Sequence, residues 1–255
     1  MTDEVLFYAQ DGIAYITINR PHTKNAINLA VAKQIAAAID TFENDNSLRV
    51  GIITGAGGTF CAGMDLKAFA KSGERPRIVG RGFAGLTESP PRKPLIAAVE
   101  GYALAGGCEL ALACDLIVAG EGAKFGLPEV KRGLCAAAGG LLRLPRQMPY
   151  RIALELALTG EMFSAESALQ FGLINRLAPA GQALEAATNL ARVIVANAPL
   201  ALATSKEIIS RSSGWPDDTM FDRQRELTDP VNSSSDAKEG ALAFTEKRKP
   251  VWRGV

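Results

Sequence analysis

Two apolar runs, Val5–Gln10 and residues 13–19, flank Asp11-Gly12, and the second alternates apolar with polar positions, which predicts a β-hairpin. Asn19-Arg20-Pro21 ends it. Over residues 29–42 the spacing changes: Val31, Ile35, Ala38, Ile39 and Phe42 fall on one side of a 3.6-residue period, as in an amphipathic helix. Short apolar runs at 49–54, 95–99 and 115–119 predict buried strands. Long segments separate these strands, so the connections are crossovers and the sheet is largely parallel, which makes the fold class α/β. From Gly139 onward helical spacing dominates. Helices are predicted over 150–158, over 164–171 with Ser164 as N-cap and Gly172 as stop, and over 182–197. Pro199 interrupts the pattern, a further helix covers about 200–210, and a polar spacer at 232–236 precedes a last helix at 237–248. The chain thus divides into a mixed core over residues 1–196 and a helical region over 197–255, with residues 71–81, KSGERPRIVGR, as the candidate mobile loop.

Composition narrows the function classes. The 28 basic and 27 acidic residues leave a formal charge of +1, which gives no electrostatic footprint for nucleic acid or an anionic membrane. No apolar run approaches the ~18 residues of a membrane span, and no basic stretch followed by an apolar one opens the chain, so it reads as cytoplasmic. Cys61, Cys108, Cys114 and Cys135 lack Cys-x-x-Cys spacing and read as free thiols in a reducing compartment. His22, the only histidine, has no nucleophile-elbow motif beside it, so neither a Ser/His/Asp hydrolase nor a transition-metal site is indicated.

Candidate chemistry gathers between Gly101 and Glu129. Ala105-Gly106-Gly107 stands at the entry to a short apolar helix, where the first backbone N–H groups lack acceptors and missing side chains allow close approach. Glu109 lies within about the first turn of that helix, and Glu129 follows the turn Gly126-Leu127-Pro128. Two carboxyls beside backbone donors combine acid/base groups with anion stabilisation, as chemistry next to a carbonyl requires. A second Gly-rich stretch, Gly55 to Lys67, contains neither a phosphate-loop nor a dinucleotide fingerprint.

Phe60-Cys61-Ala62-Gly63-Met64-Asp65-Leu66, then Gly101-Tyr102-Ala103-Leu104-Ala105-Gly106-Gly107-Cys108-Glu109-Leu110, then Phe125-Gly126-Leu127-Pro128-Glu129 resemble the successive signatures of the crotonase superfamily, which includes enoyl-CoA hydratases and isomerases. The resemblance spans nearly the whole chain. It implies a crotonase (ClpP/crotonase-like) spiral of repeated ββα units, a C-terminal helical trimerisation region, and a homotrimer or dimer of trimers. It also implies an oxyanion hole formed by the N–H groups of Met64 and Gly106 around the thioester oxygen of an acyl-CoA, with Glu109 activating water and Glu129 protonating Cα. The expected reaction is hydration of a 2-enoyl-CoA to a 3-hydroxyacyl-CoA, as in fatty-acid β-oxidation. CoA serves there as carrier of the substrate, with no metal or other cofactor.

By the same resemblance, Lys24, Ala26, Ala62, Asp65, Leu66 and Lys67 lie where relatives bind the adenine and phosphates of CoA, and Phe244 and Lys247 match C-terminal CoA contacts. Two departures stand out: Ala105 replaces a third glycine, and Ala136-Ala137 replaces a common Pro-Gly pair. Gly85-Leu86-Thr87-Glu88, Glu239-Gly240, Lys247-Arg248 and Pro250-Val251-Trp252 resemble the carnitinyl-CoA dehydratase (crotonobetainyl-CoA hydratase) branch, an alternative substrate class. Enoyl-CoA isomerase activity and a non-enzymatic acyl-CoA or protein-binding module are the remaining alternatives. Retention of both glutamates argues against the module.

Overall fold

The computed structural model describes residues 3–255. Strands β1 (Val5–Gln10) and β2 (Ile13–Ile18) pair antiparallel about Asp11-Gly12, both with positive φ, as a two-residue hairpin turn requires. Helix α1 (Leu29–Asn44) follows, its N-cap Asn28 accepting from the Val31 N–H at 2.8 Å. Next come β3 (Val50–Gly55), α2 (Leu66–Ser72), the short strands β4 (Arg77–Ile78) and β5 (Gly82–Phe83), β6 (Leu95–Val99), β7 (Tyr102–Leu104) and α3 (Gly106–Leu112). Strands β8 (Leu116–Gly120) and β9 (Lys124–Gly126) lead through a 3-10 turn, Pro128–Arg132, to α4 (Gly140–Gln147) and α5 (Tyr150–Thr159). After β10 (Phe163–Ser164), α6 (Ala165–Gln170) and β11 (Arg176–Ala178), the helices α7 (Ala183–Val195), α8 (Pro199–Arg211), α9 (Met220–Asn232) and α10 (Ser235–Thr245) follow in succession.

The main sheet has the order β1-β2-β3-β6-β8-β11 and is parallel throughout except for the β1–β2 hairpin. The expected α/β class is therefore observed. Side chains alternate between two buried faces. Ile16, Ile18, Ile53, Ala97, Val99 and Ile117 face α1 and the helix carrying Glu109. Ile13, Tyr15, Val50, Ile52, Ile96 and Val118 face Ala187 and Ala191 of α7. A second sheet, β10-β9-β7, stands at the exit of the first, and residue Cys61 extends it by bridging Ala103. This smaller sheet positions the site, because both Gly-rich stretches leave from its edge.

Several local expectations need correction. Residues 71–81 are not an open loop: α2 runs to Ser72, β4 and β5 form a hairpin, and Arg81 pairs with Asp40 at 2.5 Å while Arg77 reaches Glu88. The polar spacer is only Ser233-Ser234, because α9 runs through Asn232 and α10 begins at Ser235, with Ser234 capping the Ala237 N–H. Helix α9, which has Pro230 inside it, few apolar positions and no buried residue, is a further element that the sequence reading passed over. The last helix ends at Thr245 rather than 248, and the chain beyond it folds back: Trp252 Nε1 donates to the Ala196 carbonyl at 2.7 Å. Helix α4, which starts on Gly140 and contains Pro145, also escaped the periodic reading.

Candidate active site

Segment 60–65 runs beside β7 and carries the first of two turns that meet. Cys61 N–H donates to the Tyr102 carbonyl at 2.8 Å and Leu104 N–H to the Cys61 carbonyl at 3.0 Å. Further along, Met64 bridges Ile27 in parallel: the Gly63 carbonyl accepts from Ile27 N–H at 2.8 Å, and Asp65 N–H donates to the Ile27 carbonyl at 2.9 Å. Because the flanking residues make both of those bonds, the N–H of Met64 itself faces away from Ile27. The second turn is Ala105-Gly106, which starts α3. Gly63, at φ +98, leaves the space this meeting needs: a Cβ built there would lie 3.0 Å from the Leu104 carbonyl oxygen and 3.3 Å from the Gly106 nitrogen. Among the described residues, no protein acceptor pairs with the N–H of Met64 or of Gly106. For Gly106 this follows from its place as the first helical residue.

Glu109 lies in the first turn of α3 and is only 3% exposed. Its Oε1 accepts from Ala138 N–H at 2.7 Å and from Gly140 N–H at 2.8 Å. Those donors come from the segment where Ala136-Ala137 depart from the family spelling, so this loop clamps the carboxylate through backbone rather than side chains. Gly140 packs closely here, since a Cβ there would stand 3.0 Å from both Glu109 Cγ and Leu127 Cδ1. Burial raises the Glu109 pKa above the ordinary 4.5; the two amides pull it down, the charge on Glu129 pushes it up and Arg143 pulls it down. Glu129 is delivered by the 3-10 turn after β9, and burial raises its pKa as well. Its Oε2 is buried with no hydrogen-bond partner among the described residues. Burial raises both carboxyls and the charge on Glu129 raises Glu109 further, which favours one negative charge over two at the site.

Glu129 opens onto a cavity of about 400 Å³ whose walls include Leu127, Ala136, Leu144, Tyr150 and Leu154. Cys135 also lines it. Cys61 and Cys108, by contrast, are fully buried, and burial pushes both thiols up to about 12, so they stay protonated near neutrality.

The residues expected at the CoA end separate into two groups. Lys24, Ala26, Ala62 and Asp65 are brought together: Ala62 N–H donates to the Lys24 carbonyl at 3.0 Å, and Arg20 binds both the Ala26 carbonyl at 2.5 Å and Asp65 at 3.0 Å. Asp65 is committed to structure, capping α2 through the Ala68 N–H. Leu66 and Lys67 are exposed on α2, and Lys24 Nζ sits 4.9 Å from the Tyr102 ring centroid. Phe244 is 84% exposed at the end of α10, and among the described residues no hydrogen bond or ion pair joins it or Lys247 to the others.

Sequence reasoning missed Asn25. Its backbone is left-handed at φ 56, and its side chain accepts from Arg20 N–H at 2.8 Å and donates to Ala56 and Thr59 carbonyls. It thereby straps the Lys24–Ala26 loop to the end of β3. A polar residue after Lys24 that tolerates positive φ was the available signal. Arg143, which donates to the Thr87 carbonyl at 2.6 Å below the Glu109 clamp, was also missed.

Comparison with known proteins gives a consistent result. A family model described as enoyl-CoA hydratase/isomerase matches residues 8–255. A carnitinyl-CoA dehydratase of Salmonella typhi is 45% identical over 260 residues, covering 98% of this chain and 99% of the relative. The crystal structure of an enoyl-CoA hydratase from Mycobacterium tuberculosis superposes with a TM-score of 0.97 at 59% identity, covering 99% of each chain. That of a carnitinyl-CoA hydratase from Mycobacterium avium gives 0.79 at 45% identity, covering 100% of each. The three motifs, the spiral that carries them and a match over nearly the full length agree: this chain belongs to the enoyl-CoA hydratase/isomerase family of crotonase-superfamily enzymes.

Proposed function

We propose that this protein is a hydro-lyase that adds water reversibly across the double bond of a 2-enoyl-CoA to give the 3-hydroxyacyl-CoA. The observation that carries the reading is that Glu109, raised by burial and by the charge on Glu129, stands in the helix opened by Gly106, whose N–H, like that of Met64, has no protein acceptor among the described residues. In this scheme the thioester oxygen lies between those two amides. Ionised Glu109 takes a proton from water as its oxygen bonds to Cβ; the π electrons move through Cα onto the thioester oxygen, forming an enolate. The enolate then collapses as Cα takes the proton of Glu129, and proton exchange between the two carboxyls resets the site. Overall, water addition transfers no electrons to an outside acceptor, so the steps require only protons and the CoA-borne substrate. Each amide contributes on the order of 3 kcal/mol of barrier lowering if it behaves as other oxyanion donors do.

Lys24 and Lys67 suit the phosphates of CoA, and the exposed Phe244 and Lys247 suit its adenine end once a second subunit is docked. On this reading residues 197–255 assemble the chain into a trimer or a dimer of trimers.

A second reading is dehydration of carnitinyl-CoA. It is favoured by the names of the 45%-identical relatives and by Tyr150 and Glu129 in one cavity, an aromatic face and a carboxyl able to meet a quaternary ammonium. Mixing the protein with crotonyl-CoA, longer enoyl-CoAs and crotonobetainyl-CoA, and following loss of the enoyl absorbance, decides between them. No loss with any thioester rejects both.

A further inference from the structure

The geometry points to Ala105 as a positioning residue that sets the gap between the Met64 and Gly106 amides; the inference rests on the reading that those amides grip the thioester oxygen. Ala105 has φ 52 and ψ −128, the conformation of the first central residue of a type II′ turn, where glycine is the usual occupant. Its backbone is held from both ends. Its N–H donates to the Gly126 carbonyl at 2.9 Å, and its carbonyl accepts from Glu109 N–H at 3.0 Å. The methyl therefore points in a fixed direction, toward the neighbouring turn: a Cβ built on Gly63 would lie 3.0 Å from the Ala105 Cβ. Gly106 packs against the ring of Phe83, and on the side of segment 60–65 Gly107 rests close to the Cys61 carbonyl, so the start of α3 is held by close contacts on both sides.

The Ala105 methyl is thus a wedge between a fixed turn and the Gly63-Met64 turn. Glycine at position 105 fits the backbone with less strain but leaves the wedge out, and slack then appears between the two amides. A strained side chain at the mouth of a site is the kind of feature that trades stability for geometry.

The test compares wild type, Ala105→Gly and Ala105→Ser, the last keeping a Cβ in the same place. Three quantities are measured: Tm, kcat and KM for hydration of crotonyl-CoA, and the carbonyl stretch of isotope-labelled butyryl-CoA, a saturated thioester that binds without reacting. For Ala105→Gly the expected Tm equals or exceeds that of wild type, KM stays within about two-fold, kcat falls about ten-fold, and the bound carbonyl stretch is lowered less than in wild type. Ala105→Ser retains kcat within about three-fold. Wild-type kcat and carbonyl shift in Ala105→Gly overturn the inference, as does an equal loss of kcat in both variants or a lower Tm in the glycine variant. If wild type neither hydrates crotonyl-CoA nor shifts the carbonyl, the functional reading itself fails and takes this inference with it.

Discussion

Glu109 is a carboxylate held by two main-chain amides in a site that otherwise disfavours its charge. Replacing it with glutamine keeps an oxygen for Ala138 and Gly140 to donate to, so Glu109→Gln is expected to fold and to bind butyryl-CoA while hydration falls by about 10²–10⁴. Glu129→Gln is expected to lose a similar factor, and near-normal turnover in either variant would remove that residue from the mechanism. The pH dependence of stability has a definite sign. Because burial raises the folded pKa of Glu109 above the ordinary 4.5, its favourable contribution is complete below that value and is lost as pH rises through the folded pKa. Glutamine has no such loss, so the Tm of Glu109→Gln is expected to gain on wild type as pH is raised through that window; a gap that stays constant with pH contradicts the raised pKa. Motif spelling located both glutamates and the two glycine turns. The donors that hold Glu109 were not legible, because an amide is the same at every residue and only the fold says where it points.

At the scale of elements, α8 is anchored by one lysine. Lys206 Nζ reaches the Pro91 carbonyl at 2.7 Å, the Lys93 carbonyl at 3.0 Å and Asp115 at 2.6 Å, just where β6 and β8 begin. Burial raises the pKa of Asp115, and Lys206 opposes that rise. Lys206→Met is therefore expected to lower the urea-unfolding free energy by about 1–3 kcal/mol, between an exposed pair and a fully buried one. Adding Asp115→Asn recovers part of the loss if the uncompensated carboxylate is its cause. Elements with strong periodicity and clear caps, such as α1 with Asn28 and α6 with Ser164, were readable from the chain. Helices α4 and α9 were not, since each contains a proline, the residue that ordinarily marks the end of a helix, although both are amphipathic along their length. The β4–β5 hairpin was invisible for another reason: two-residue strands carry no alternation, and the pairing of Arg81 with Asp40 joins positions far apart in sequence.

For the whole molecule, the alternation of apolar runs and long crossovers was enough to assign an α/β core, because buried parallel strands leave a compositional trace. The proposed assembly of chains leaves no such trace. Helices α8 and α9 nevertheless keep Ile209 and Phe221 largely exposed, and Phe244 is exposed on α10. Light scattering is expected to give a mass three or six times the 26.9 kDa of one chain, and a monomer at micromolar concentration would contradict the proposed assembly. The cavity beside Glu129 has two unlike walls. One side carries Glu129 and Leu127, and behind Leu127 a Cβ added at Gly140 would press on both Leu127 and Glu109. Helix α5 forms the opposite wall with Ala153, Leu154, Ala157 and Leu158, none of which touches Glu109 through a hydrogen bond. On the proposed reading, with the acyl tail entering this cavity, Ala153, Leu154, Ala157 and Leu158 are the positions on one helix where a designer can vary tail length while leaving the clamp on Glu109 intact.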